Sequence, residues 1–412
     1  MITGVSGLGP ADADLATVAP DLGSGQRTIM SAMQPDKAVT LAQQDLLAGR
    51  YLAARARLLA AGGGHRQDLW NLWFWTLLSI DPWGEGWAVA AGEPQAPADS
   101  LVNAEPDGLA VVEQLAMEAM GAGRVVVLME RHALPESRWA GVRLIPALRQ
   151  AGATHLAFEC SDQGRLDRAA GKGVVRRDTA PYTYEPSRAA LLRAAMRAGL
   201  TLRAFDYPTD PGVLRAALGR QMIPSINGLR ERWMAENLHA LMAAQPDARI
   251  VVWTGGQHAW KGVPEYYSVP LFSAWAEDRT MAMVLTEVAG REPWCLGQAL
   301  VHGPERQPGA VRADHPWAAA HGLDAVLVHF RGAHRQCPSW IRDGRRPVEL
   351  AAGCARLVQA FAGSEGQDAV PVDQVIAKNA EVTLMLTPDR YLCRGVDDSD
   401  VPVWQRLVDV SR

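Results

Sequence analysis

Four short apolar runs, each preceded by a helical pattern, constrain this 412-residue chain more than any other feature. DGLAVVEQLAMEAMGAG leads into RVVVLM, and SRWAGVRLIPALRQAG into THLAFE. SRAALLRAAMRAG leads into LTLRAFD, and GLRERWMAENLHALMAAQ into RIVVWTG. A run that is apolar at nearly every position, rather than at alternate ones, belongs to a strand buried on both faces. Alternation of such runs with helices predicts an α/β fold, a mostly parallel sheet flanked by helices, over residues 105–335. LDAVLVHF (323–330) reads as a further strand.

The flanks follow other patterns. Residues 1–35 are rich in Gly, Ala, Asp and Ser without periodicity and read as disordered, with Met30 or Met33 as an alternative start. Residues 36–91 predict an N-terminal helical hairpin of tetratricopeptide-like form, since DKAVTLAQQDLLAGRYLAARARLLA has helical spacing broken at Gly49. The tryptophans of LWNLWFWTLLSIDPW read as helical core packing, and GEPQAPADS as a linker. Residues 340–412 carry an internal repeat. VELAAGCARLVQAF starts at Val348 and VTLMLTPDRYLCRG at Val382, and each copy ends in Val-Pro-Val-x-Gln. This predicts a C-terminal repeated β segment, with a helix over 348–363 as the alternative. The N-terminal helices and the repeats are the expected surfaces for any protein partner.

Hydrophobic residues are 48% and charged residues 21%, an ordinary globular balance. A net charge of -4 without a basic stripe argues against nucleic acid. No window is apolar over the ~18 residues a membrane span needs, and the N-terminus lacks a signal-peptide pattern. The expectation is therefore a cytoplasmic chain with no membrane partner. Five scattered cysteines without a CxxC pair indicate neither a disulfide framework nor a cysteine zinc site.

Polar residues collect where the strands end. The first run closes on Glu130 and His132, the second on Glu159, the third on Asp206, and the fourth enters GGQH with His258. Ligands of open parallel sheets bind outside the carboxyl ends of the strands. Glu130 and His132 are two residues apart and face the same way on an extended chain, whereas Arg131 faces elsewhere. Gly255 and Gly256 leave room beside His258. Arg230, Met234 and Asn237 share one helix face, so Arg230 is a candidate to reach the sheet edge.

MERHALPESR…LIPALRQAGATHLAFE, EPSRAALLRAAMRAGLTLRAFD, LRERWMAEN and VVWTGGQH together resemble the erythromycin esterase, ChaN and Tiki superfamily. The resemblance covers roughly residues 120–265. It rests on paired Gly-x-x-His motifs, a Glu closing the second strand, and an Arg-acidic-x-x-Met-Ala-x-Asn helix. Met129 stands where the first motif has Gly, so that motif is degenerate.

The resemblance implies a hydrolase of an ester or amide bond acting on a small-molecule or peptide substrate. Its expected catalytic residues are Glu130, His132, Glu159, Asp206, Arg230 and His258. Two routes stay open. In a metal-assisted one, His132, His258 and Glu130 or Glu159 hold a divalent ion; in a metal-free one, His132 or His258 is the base. The alternatives are a haem or iron-compound binding protein, for which Tyr182, Tyr184, Tyr266 and Tyr267 are the tyrosines to consider, and a non-catalytic scaffold with a decayed site. Residues 160–185 read as a loop that walls the pocket.

Overall fold

The computed structural model describes residues 37–63, 67–82, 101, 103–132, 134–207, 223–262, 279–302, 306–331, 337–342 and 344–411. The expected disorder of residues 1–35, the linker at 92–100, Tyr266 and Tyr267 lie outside these residues.

Among the described residues three helices come first: α1 (Lys37–Leu47), α2 (Tyr51–Ala60) and α3 (Gln67–Ile80). Next come α4 (Gly108–Gly121), β1 (Val126–Glu130), α5 (Pro135–Gln150), β2 (His155–Phe158), α6 (Gln163–Lys172), α7 (Pro186–Arg197) and β3 (Thr201–Ala204). The α/β part continues with α8 (Ile223–Ala244), β4 (Ile250–Gly255), α9 (Met281–Ala289), β5 (Trp294–His302), β6 (Gly309–Arg312), α10 (Pro316–Ala320) and β7 (Ala325–Arg331). These strands form one seven-stranded sheet in the order β3-β2-β4-β1-β5-β7-β6. All neighbours run parallel except β6, which is antiparallel to β7. The fold is thus α/β, mostly parallel, with helices on both faces.

The continuous apolar runs explain the two cores. Val126 and Leu128 of β1 pack with residues of α4, α5 and α7 on one face, and Val127 and Met129 with α8 and α9 on the other. Each fully buried large aliphatic side chain contributes about 1.5–3 kcal/mol. Strand β4 lies between β1 and β2, and Glu130 pairs in register with Gly255. That insertion brings the ends of the first, second and fourth strands side by side.

Residues 160–185 are not all loop. Asp162 accepts a hydrogen bond from the backbone N–H of Arg165, and Gly173 ends the helix in the left-handed region, so α6 fills the middle. Its Leu166 and Ala169 are buried while its basic residues face outward, and this amphipathic pattern is the signal that a reading by charge alone overlooks.

After α11 (Ser339–Arg342) the tail is β-structure: β8 (Arg346–Ala351), β9 (Leu357–Ala362), β10 (Asp373–Ile376), β11 (Glu381–Leu386), β12 (Asp389–Val396) and β13 (Pro402–Val410). Residues 348–363 hold two strands, so the helical alternative fails there. The pairing follows the sequence repeat. Tyr391 pairs with Ala362, and the corresponding residues of the other copies, Leu357 and Val396, pair with each other. Likewise Val348 pairs with Leu384, and Val382 with Leu350. This reciprocal register relates the two copies by a local two-fold axis.

The N-terminal helices are fastened to both other parts. Trp75, Leu78 and Tyr51 share a buried cluster with Tyr184, Leu357 and Val396. Tyr51 donates to the carbonyl of Tyr184 at 2.9 Å, and Gln374 Nε2 to that of Ser79 at 2.6 Å. Among the described residues, no helix is long and apolar enough to cross a membrane.

Candidate functional site

Glu130 is the last residue of β1 and is 0% exposed. A buried carboxylate survives only with compensating charge and donors. Arg138 Nη1 and His132 Nδ1 donate to its Oε1 at 2.9 and 3.1 Å. Arg188 Nη1 and Trp253 Nε1 donate to Oε2, the latter at 2.7 Å. Burial alone would raise the Glu130 pKa, but Arg188, His132 and Arg138 hold it well below the usual carboxylate range. Both arginines enter from the first turn of a helix, Arg138 from α5 and Arg188 from α7. Glu185 caps α7 through the N–H groups of Ser187 and Arg188, and it also pairs with Arg138 Nε at 3.1 Å.

Glu130 therefore accepts the Nδ1 proton of His132. An imidazole with its proton held at Nδ1 carries its lone pair at Nε2. The His132 side chain is 38% exposed, so this imidazole is oriented from behind and open in front. It also packs against Trp75 of α3, with ring centroids 5.4 Å apart, and Trp75 stacks on Tyr182. Tyr182 sits at φ 59°, an unusual conformation for a residue with a side chain.

Glu159 follows β2 directly. It accepts from Arg230 Nη2 at 2.7 Å, Thr254 Oγ1 at 3.2 Å and the backbone N–H of Gly255. Burial would raise its pKa; Arg230, His258 and His132 outweigh burial and bring it down to about 2. Arg230 also binds Asp206 through Nε and Nη2, both at 2.8 Å, and Nη1 reaches His258 Nε2 at 3.1 Å. His258 Nδ1 in turn bonds Glu231 at 2.6 Å, and Glu231 accepts from the N–H of Met281 at the start of α9. Burial would lower the His258 pKa, but the Glu231 carboxylate more than offsets it and the net shift is upward. Glu231 sits on α8 beside Arg230, so one helix turn supplies both ends of this chain of contacts.

Gly255 joins the two halves. A Cβ there would lie 2.6 Å from His132 Nε2 and 3.3 Å from Glu159 Oε2. All six sequence candidates, Glu130, His132, Glu159, Asp206, Arg230 and His258, thus form one connected group at the strand ends. Met129 is 5% exposed and packs in the core under α8, on the opposite sheet face from Glu130. Asn237 donates to the carbonyl of Phe205 at 3.1 Å and steadies the end of β3. Arg138, Arg188, Trp253, Thr254 and Glu231 are additional members that the strand-end pattern alone does not identify. Tyr184, one of the tyrosines considered for haem, is buried with its hydroxyl unpartnered, and Tyr182 lies in the aromatic stack.

Gly255 has φ -82°, which alanine adopts without strain. Gly255→Ala should therefore leave the backbone intact and displace the His132 ring. The melting temperature should stay within a few degrees, and the His132 ring resonances should shift in the NMR spectrum of the variant while those of the buried His329 stay in place.

Glu159 gives a pH prediction. Its folded pKa lies below the ordinary 4.5, so its stabilising contribution is full above about pH 4.5 and is lost as pH falls toward 2. Glu159→Gln should lower stability at pH 7 by roughly 3 kcal/mol. Urea unfolding at stepped pH should show the gap to wild type closing below pH 4.5.

No protein-family model matches the chain, and no curated protein matches it. Comparison with solved structures finds a similarity to a type III effector, HopBA1, at 15% identity. The match covers 57% of this chain and 98% of that one with a TM-score of 0.34, which is too low to carry an argument.

Proposed function

We propose that the chain is a hydrolase of ester or amide bonds whose working base is His132. The observation that carries this is the exposed imidazole with its Nδ1 proton fixed by a buried, ionised Glu130. An imidazole so oriented takes a proton from water at Nε2. His258 is a poorer candidate, because Glu231 and Arg230 engage both of its nitrogens.

Arg230 has five N–H donors. Those on Nε and Nη2 go to Asp206 and Glu159, and one on Nη1 goes to His258. Among the described residues nothing takes the second Nη1 hydrogen, and in this reading it serves a substrate oxygen as a donor for developing negative charge. In this reading Glu159, Asp206, Glu231 and His258 position Arg230, and Glu130 positions His132.

The resemblance also allows a divalent metal. Among the described residues, no group of three His, Cys, Asp or Glu side chains is arranged to hold one. Glu130 and Glu159 spend their oxygens on arginines, Trp253, Thr254 and Gly255. As placed, these donors do not fit a cation, and no step is routed through one.

The test is release of product from a panel of activated esters and aryl amides by the purified protein, before and after chelation. Turnover that survives chelation supports the metal-free route, and turnover that needs added metal supports the other. An absence of turnover across the panel, or a stoichiometric Soret band on haem titration, would favour the scaffold or haem reading.

A further inference from the structure

A second cleft lies where α5, α7 and α11 meet the tail strands, and its larger part reaches Glu185 and Ser187 behind the Glu130 network. It comprises a cavity of about 200 Å³ adjoining one of about 770 Å³, and Trp139, Arg345, Val372 and Met385 line both. Arg193, Arg197 and Arg345 all line the smaller one.

In the smaller cavity four arginines, Arg143, Arg193, Arg197 and Arg345, face two carboxylates, Glu365 and Asp389. Arg193 is 4% exposed and gives Nε and Nη2 to Glu365 at 2.7 and 2.5 Å, yet its buried Nη1 has no hydrogen-bond partner. The Arg345 guanidinium lies 3.6 Å from the Trp139 ring centroid. Among the described residues, neither Arg345 nor Arg197 makes a side-chain hydrogen bond or ion pair. Asp373, in the larger cavity, directs its oxygens at the backbone N–H groups of Gln374 and Met385. Tyr391, on the wall, shares its hydroxyl with Thr387. Asp389 is the remaining carboxylate of the smaller cavity and lies exposed.

Burial and the neighbouring Arg193 charge hold the Arg197 pKa below the usual arginine range, and burial does the same for Arg345. Glu365, Asp389 and Asp373 offset part of this charge, but a guanidinium donor buried without an acceptor, as Arg193 Nη1 is, gains from an anion that reaches it. A larger adjoining cavity of this size suits the rest of a small molecule.

We infer that this cleft binds a small dianion, a phosphate monoester or a dicarboxylate, through Arg193 Nη1, Arg197 and Arg345, with the uncharged part of the molecule in the larger cavity. Guanidinium donors pair with phosphate and with carboxylate in the same forked geometry. The site is independent of the hydrolase reading and stands or falls separately from it.

The test is calorimetric titration of the full chain at fixed low ionic strength with inorganic phosphate and, separately, with succinate. At least one probe should give a saturable one-to-one isotherm. Saturation by phosphate assigns a phosphate ligand, and saturation by succinate alone assigns a dicarboxylate. Arg197→Ala, at the exposed rim, and Arg345→Ala should each weaken binding at least tenfold with circular dichroism unchanged, and His132→Ala should leave it intact. Failure of both probes to saturate, affinity unchanged in Arg197→Ala and Arg345→Ala, or loss of binding in His132→Ala would overturn the assignment.

Discussion

Glu130→Gln should be among the most destabilising single substitutions in the chain. The change removes one negative charge but leaves Arg138 and Arg188 in the core, at 0% and 1% exposure. Removing one partner of a buried ion network costs about 3–5 kcal/mol, because the remaining charges stay desolvated. Some buried guanidinium nitrogens, Arg138 Nη2 and Arg188 Nε, already lack hydrogen-bond partners, so the network has little spare compensation. The π faces of Trp75 and Phe158, 5.1 and 4.8 Å from the two guanidinium carbons, supply part of the remainder. Thermal unfolding should show a drop of roughly 3–6 °C. Glu130→Asp should recover only part of it, since a shorter side chain cannot hold four donors at once. A Glu130→Gln melt within one degree of wild type would mean that the network is not ionised as described.

The second large effect falls on the hydrolysis we propose. His132→Ala should lower kcat by about 10²–10⁴-fold, the range of a positioned general base. Its stability should change little, because the ring is 38% exposed and lies at the rim of the buried network. His258→Ala should behave differently. His258 is 6% exposed and bridges Glu231 to Arg230, so its loss should disturb Arg230 and reduce both stability and turnover. Kinetics and melts measured on the same two variants separate a base from a positioning residue. Equal losses of stability in both would contradict that division.

The sequence makes the strands and their polar ends readable for a simple reason. Strands buried on both faces are continuously apolar, so the first ionisable residue after each run marks where the core stops. Arg138 and Arg188 are harder to find. They stand in the helix starts PESR and EPSR, where an arginine ordinarily faces water, and only the placement of β4 between β1 and β2 turns both helices toward Glu130. Glu231 is the acidic position of the Arg-acidic-x-x-Met-Ala-x-Asn helix, but its partner His258 is 27 residues on and emerges only from the fold. Met129 stands in place of the motif glycine, and strand alternation sends its side chain to the opposite face from Glu130. The tail repeat was visible as sequence, whereas the reciprocal pairing that makes a two-fold unit depends on strand register, which spacing does not specify. Trp75 packs in the N-terminal core, as helical spacing predicts, and also forms a wall beside His132.

The central claim is that His132, oriented by Glu130, is the base of a hydrolytic site. Chemical rescue tests it most directly. Activity of His132→Gly against the best ester of the panel should be low in buffer and should rise with added imidazole, in a saturable way, because the deleted ring leaves an accessible space in front of Glu130. A variant that retains wild-type turnover, or one whose activity imidazole does not raise above the free-imidazole background, would contradict the account.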